Sequence, residues 1–217
     1  PSAILNSGLG NADMLRRATQ ATFFEAVGGL AIGTLAGLIV ALASARWLTA
    51  RDVLLPIAVA SSAIPIIAIA PILNNWFGVL NPLSKMMMAA LLVFFPVVVN
   101  VTRGLVEVQP ASLELMRSYA ASDLAVLRKV RIPNMLPFFF TALKVGTTLS
   151  FIGALVGEYF GGTSDVLGRV VLQSMSSGRF SLAWAGIMIG SIAAIAAYAA
   201  VSIIERLAIP WHTSLRE

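Results

Sequence analysis

Long apolar runs separated by short charged stretches organise the chain. Ala26–Ala45 carries no charged residue over about the 20 residues that a helix needs to cross the hydrocarbon core of a bilayer. From Val53 to Ser84 the chain is again free of charge, but Pro65, Pro71, Asn74, Asn75 and Pro82 interrupt it. That pattern predicts a helix over about Val53–Leu73 and then an irregular segment closed by Lys85. Further spans are expected at Met86–Thr102, at Leu136–Gly157, where Lys144 is the one charge, and at Phe180–Ile204. The fold class is therefore an all-α polytopic membrane protein, and five crossings put the two ends of the chain on opposite sides.

The stretch from Glu114 to Pro137 breaks the pattern with Glu114, Arg117, Asp123, Arg128, Lys129 and Arg131. Within it Leu113, Met116, Ala120, Leu124, Leu127 and Val130 advance by three or four residues, while Glu114, Arg117, Ser118, Arg128 and Arg131 collect on other faces. Ser122 followed by Asp123 reads as an N-cap with a first-turn acid, so two short helices are expected to meet near Ala120 and Ala121. Pro133 and Pro137 are expected to stop the second helix and mark re-entry into the bilayer. An apolar stripe with a charged rim suits a partner's groove, and the same periodicity suits a helix lying on lipid.

Composition sharpens this reading. Of 217 residues 58% are hydrophobic and 12% charged, with a mean hydropathy of +0.88, which is too little polar surface for a soluble domain. There is no cysteine and one histidine, His212, so disulfide frameworks, thiolate metal sites and Cys/His catalysis are excluded or starved of ligands. The net charge of +5 comes from scattered basic residues without interleaved aromatics, which fits membrane topology and not nucleic acid. With the 103–136 loop cytoplasmic, the inner side holds Arg46, Arg51, Arg103, Arg117, Arg128, Lys129, Arg131, Arg206 and Arg216. The outer side then holds Arg16, Arg17, Lys85, Arg169 and Arg179, so the positive-inside rule favours this orientation. Lys144 is expected to snorkel to the inner surface. Gly29, Gly33, Gly37 and Ala41, and likewise Gly186, Gly190 and Ala194, recur at four-residue spacing as close-packing faces.

Polar groups in apolar spans are costly unless they face the bundle interior or a water path. Ser61, Ser62, Asn100, Thr147, Thr148, Ser150 and Glu158 are the candidates for such a path. The competing readings are a hydroxyl bonded to its own helix and, for Glu158, solvation at the outer end of a span. Between Glu158 and Phe180 the segment GGTSDVLGRVVLQSMSSGR places Val166, Leu167, Val170 and Val171 in a short amphipathic run, read as an external gate, a docking site or a plain loop.

The charged stretch resembles the coupling motif of ATP-binding-cassette importer permeases, with Glu114, Ala120, Val130, Ile132 and Pro133 in register. It departs from that motif at Leu115 and Met116, where the family has small residues, and at Ala120, where the family has glycine; a blunter turn is expected there. IPIIAIAPILNNWFG, FFPVVVNVTRGL, LKVGTTLSFIGALVGEYFGG and ERLAIPWH also look like the nitrate/sulfonate/taurine type of permease, so the resemblance covers essentially the whole chain. It implies a single permease domain over 1–217, a further transmembrane helix before Pro1, and a bacterial inner-membrane location. It also implies a second copy of the permease, two ATPase subunits on a coupling hairpin at about 110–133, and an extracytoplasmic substrate-binding protein. The chain lacks G-x-x-x-x-G-K-[ST], so no cofactor of its own is expected, with ATP and Mg bound in the partner subunit, and it is not itself an enzyme.

The resemblance assigns the ATPase-coupling residues as follows. Leu113, Met116, Leu124 and Leu127 fill the partner's groove, Glu114 and Arg117 orient it, and Arg128 and Arg131 sit near its rim, with Ala120 and Pro133 as the motif's turn and closing positions. For Arg128, Lys129 and Arg131, anchoring to the inner leaflet is the equal alternative. The family is associated with nitrate, sulfonates, taurine, pyrimidines and flavin precursors. The absence of an intramembrane arginine cluster disfavours a small strong anion. A secondary transporter or channel would call for repeats and paired intramembrane charges, and an enzyme for a converging set of acids and bases; neither pattern is found.

Overall fold

A computed structural model describes residues 2–46, 56 and 65–210. The helices are α1 (Ser2–Gly10), α2 (Ala12–Arg46), α3 (Ile66–Phe77), α4 (Pro82–Val106), α5 (Pro110–Ser118), α6 (Asp123–Val126), α7 (Ile132–Phe160), α8 (Leu167–Ser176) and α9 (Phe180–Ala208). A π-helical turn, Leu127–Arg131, joins α6 to α7. Among the described residues four helices are long and apolar enough to cross a membrane: Ala12–Ser44, Pro82–Val106, Asp123–Phe160 and Phe180–Ala208. The fifth expected crossing, about Val53–Leu73, lies mostly outside the described residues, as do Ser61, Ser62, Arg51, His212 and Arg216.

The first span starts well before Ala26. Leu15, Ala18, Thr22, Glu25, Gly29, Gly33, Gly37 and Ala41 form one buried stripe at spacings of three and four, so the inward face that holds α2 begins upstream of the charge-free run. The segment expected to be irregular around Asn74 is helical, since α3 continues through Pro71 and both asparagines to Phe77. Gly78, at φ 95°, ends it in a conformation that suits glycine. Asn81 then caps α4, its side-chain oxygen accepting from the Leu83 N–H at 3.0 Å, with Pro82 in the first turn.

Pro133 and Pro137 do not stop the helix that precedes them, contrary to expectation. The π turn reaches Ile132, whose N–H donates to the Leu127 carbonyl five residues back, and Pro133 follows in the first turn of α7. This wider turn moves away the carbonyl that a regular helix would drive into the proline ring, so surface segment and span remain one continuous helical run.

The core is α2, α4 and α7. The glycine stripe of α2 lies on α4: a Cβ at Gly29 would stand 2.3 Å from the Ala89 Cβ, and one at Gly33 2.5 Å from the Ala90 carbonyl oxygen. The order Gly29 on Ala89 and Gly37 on Val97 shows that α2 and α4 run parallel. α7 returns antiparallel, with Gly104 against Met135 at one end and Gly157 against Lys85 at the other. Ala41, Val93, Val97, Val101, Leu105 and Ala142 form the buried cluster where the three meet. The second stripe, Gly186 and Gly190 on α9, packs on Val171 and Leu167 of α8. The expected loop between Glu158 and Phe180 is therefore a helix folded back onto the bundle. Its buried side is Leu167, Gly168, Val170, Val171 and Ser174.

Candidate functional site

Two regions concentrate chemistry, one at each end of the bundle. At the end where α4 passes to α7, α5 projects without substantial packing on any other described element. Glu114 and Arg117 are exposed and Leu113 and Met116 half-buried. Leu115, Tyr119 and Leu124 leave 56%, 75% and 63% of their surface open, an apolar patch set beside charge. Leu115 and Tyr119 were not singled out in sequence, although they stand four residues apart beside the chosen stripe.

The turn after α5 is as tight as glycine would make it. The Ala121 N–H donates to the Met116 carbonyl at 3.0 Å and the Ala120 N–H to that of Arg117 at 2.9 Å, the doubly bonded helix ending that needs a left-handed residue. Ala120 supplies it at φ 47°, so the expectation of a blunter turn is corrected: alanine takes the strain, about 1 kcal/mol, and the turn keeps its shape. Ser122 then caps α6 as expected, its hydroxyl accepting from the Ala125 N–H at 3.4 Å.

Beyond the turn the chain is tied inward. Leu127 packs against the Val97 and Leu105 cluster, so its apolar surface is used within the chain. Arg131 donates to the Leu105 carbonyl at 3.3 Å, and Asn134 to those of Gly104 at 2.7 Å and Glu107 at 3.1 Å. These side chains, from the last residue of the π turn and the first turn of α7, satisfy the open carbonyls that end α4. Arg128 and Lys129 remain exposed.

The candidate path residues separate. Asn100 donates to the Pro96 carbonyl, Thr147 to that of Leu143 and Ser150 to that of Thr147, each at 2.8 Å, so all three are satisfied within their own helices. Thr148 opens instead into a cleft of about 460 Å³ between α7 and α9, with Thr141, Lys144 and Tyr198. There the Lys144 ammonium lies 2.8 Å from Glu205, three residues from the end of α9, so this lysine reaches a buried acid partner.

Glu158 is not at a solvated end. It is 0% exposed, under α8, in a cluster with Thr22 and Glu25 of α2 and Lys85 of α4. Its Oε2 accepts from the Gly168 N–H at 2.6 Å, and the Thr22 hydroxyl oxygen accepts from the Leu167 N–H at 3.0 Å. Val166, at the N-cap of α8, gives no side-chain cap, so α7 and α2 satisfy the first donors of α8. Lys85, read as an outer surface cation, is buried, and its ammonium donates to the Val79 carbonyl and, at 3.3 Å, to that of Asn81. Glu25 and Lys85 were missed because each borders a charge-free run, where sequence alone places it in water. The signal was the position of Glu25 on the stripe that Leu15, Ala18 and Thr22 begin.

The family model described as "Binding-protein-dependent transport system inner membrane component" matches residues 33–211. The chain is 38% identical over 189 residues, 87% of its length and 76% of the relative's, to a probable ABC transporter permease protein of Haemophilus influenzae. It is 33% identical to the formylaminopyrimidine transport permease protein ThiX of Halalkalibacterium halodurans, over 85% of this chain and 73% of that one. It is 29% identical to the taurine transport system permease protein TauC of Escherichia coli, over 76% and 59%.

Proposed function

The chain belongs to the family of binding-protein-dependent transport inner membrane components, the permeases of ATP-driven importers, and from that premise we propose how its two ends divide the work. The whole of 1–217 acts as one permease domain with five crossings, and two copies enclose the translocation path. Two ATPase subunits dock on the 110–131 segment, where ATP and Mg are bound by those partners and not by this chain. An extracytoplasmic binding protein delivers substrate at the α8 end. The observation that carries this reading is the exposed segment itself: apolar Leu115, Tyr119 and Leu124 left open near Glu114 and Arg117, with α5 lacking substantial packing on any other described element.

Its mechanical logic follows from the continuous helical run. Displacement of α6 by the ATPases passes through the π turn into α7 without a hinge, and Arg131 and Asn134 carry the end of α4 with it. Among the described path candidates, Thr148 lines the open cleft between α7 and α9. For substrate, the formylaminopyrimidine and riboflavin permeases, at 33% and 32% identity, support a neutral heteroaromatic nutrient over the sulfonates and taurine of relatives at 26% and 29%. The test is ATP hydrolysis by the complex with its ATPase and binding protein in lipid discs, across pyrimidines, riboflavin, taurine, sulfonates and nitrate. Stimulation by a heteroaromatic ligand is expected. Stimulation by taurine or nitrate alone overturns the substrate class, and an ATPase that does not co-purify overturns docking on 110–131.

A further inference from the structure

Glu25 and Glu158 face each other where α2 and α7 meet under α8. They are 4% and 0% exposed, and each keeps one carboxyl oxygen, Oε2 of Glu25 and Oε1 of Glu158, with no N–H or hydroxyl donor. Thr22, one turn before Glu25 on the same buried stripe of α2, accepts from the Leu167 N–H beside the Gly168 N–H that Glu158 accepts from, so the two carboxyls converge under the first turn of α8. Two ionised carboxylates cannot bond to each other, because each only accepts; a proton on one of them turns the contact into a donor and an acceptor.

The surroundings do not remove that need. Lys85, from α4, is the cation facing the pair, and its ammonium is directed to the Val79 and Asn81 carbonyls. α3 contributes the uncharged amide of Asn74, and the half of α9 beside α8 carries no charge after Arg179. α8 brings the backbone N–H groups of Leu167 and Gly168, with Arg169 exposed and its side chain passing Gly162 as that of Lys85 does. One lysine against two acids leaves one negative charge uncompensated in a buried site, which is strongly disfavoured.

We propose that Glu25 and Glu158 form a binding site for a single proton, and that this proton clasps α8 to the bundle. With it in place, Glu25 donates to Glu158, and Glu158 stays turned to the Gly168 N–H. When it leaves, the proton passes to water beyond α8 and two carboxylates remain at close range. Their repulsion turns Glu158 away and frees the first turn of α8, which has no cap of its own. The clasped state thus holds one more proton than the released state. Low pH favours it, and the ratio of released to clasped rises about tenfold per pH unit once the proton begins to leave. None of this rests on the docking of ATPases at 110–131, since no residue of that segment takes part.

The chain has no cysteine, so Ser174→Cys, at a position 1% exposed on the buried side of α8, provides a single reporter. In the full chain in lipid discs, thiol labelling is compared between this background and the same background carrying Glu25→Gln. Its amide donates permanently and makes the clasp independent of pH. The ratio of the two labelling rates is expected to climb about tenfold per pH unit at the alkaline end, which cancels the pH dependence of the thiol itself. At neutral pH the infrared C=O band of a protonated carboxyl should disappear in Glu25→Gln and persist in Glu205→Gln. Glu158→Gln supplies the same bond from the other side and should behave as Glu25→Gln does. A ratio that stays flat with pH, or a carboxyl band that survives both Glu25→Gln and Glu158→Gln, overturns the proposal.

Discussion

The two ends of the bundle solve the same problem, a short helix outside the spans, in opposite ways. α8 is held by side chains from α2 and α7 that reach its first backbone donors, and its apolar side is buried on α9. α5 has its own tight C-terminal turn, stands clear of the other described elements, and leaves Leu115, Tyr119 and Leu124 open. A short helix has little stability of its own, so each needs packing from outside. For α8 that packing is internal and carried by buried charge. For α5 no substantial packing is present among the described residues, which is what a surface meant for another subunit requires. Substitutions at the α8 end should therefore change stability, and those at the α5 end association.

The largest effect is expected at Lys85. Lys85→Met removes the buried cation beside two buried acids and leaves the Val79 carbonyl without its donor. Breaking a buried charge arrangement by deleting one member costs about 3–5 kcal/mol, so thermal unfolding in lipid discs should shift down by many degrees. An unchanged midpoint would mean that water reaches the cluster. Gly168→Leu comes next. A Cβ there would stand 2.8 Å from the Glu158 Cβ and 2.9 Å from the Leu155 carbonyl, so α8 must move off. Overpacking of this kind costs about 1–3 kcal/mol, and protease cleavage within 161–179 should accelerate while α4 and α7 stay protected.

How far these ends were legible in sequence differs in the same way. The spans followed from apolar runs, and the α5–α6 turn from Ser122, Asp123 and the register of Glu114 and Ala120, because those signals are local. The α8 end was not legible. Its helix is 10 residues long with Val166 at the N-cap, and the acceptors that cap it lie 145 and 10 residues away in Thr22 and Glu158. Burial of Glu25 and Lys85 is likewise a property of three helices meeting, which no single stretch encodes. The continuation of helix through Pro133 rests on a π turn, a geometry without a composition signal of its own.

At the α5 end the expected response reverses. Glu114→Arg inverts an exposed charge on a helix that supports nothing else, so the unfolding midpoint should hold while ATPase-subunit association weakens about 30-fold, as for a central interface residue. Co-purification with the ATPase, titrated at rising salt, reads this directly. Retained binding together with lowered stability would erase the contrast between the two ends.

The smallest and most local effect is at Ala120. Glycine there adopts the left-handed conformation without strain, and the bonds from Ala120 to Arg117 and from Ala121 to Met116 are backbone bonds that survive the change. Two terms oppose each other. Relief of strain contributes about 1 kcal/mol in favour of the turn, and the greater freedom of glycine in the unfolded segment returns part of it. The net expectation is slower amide exchange at 119–121 by a few-fold, with ATPase association unchanged. Faster exchange would show that the alanine methyl contributes packing that outweighs its strain, and the turn would then owe its shape to side chains and not to backbone bonding.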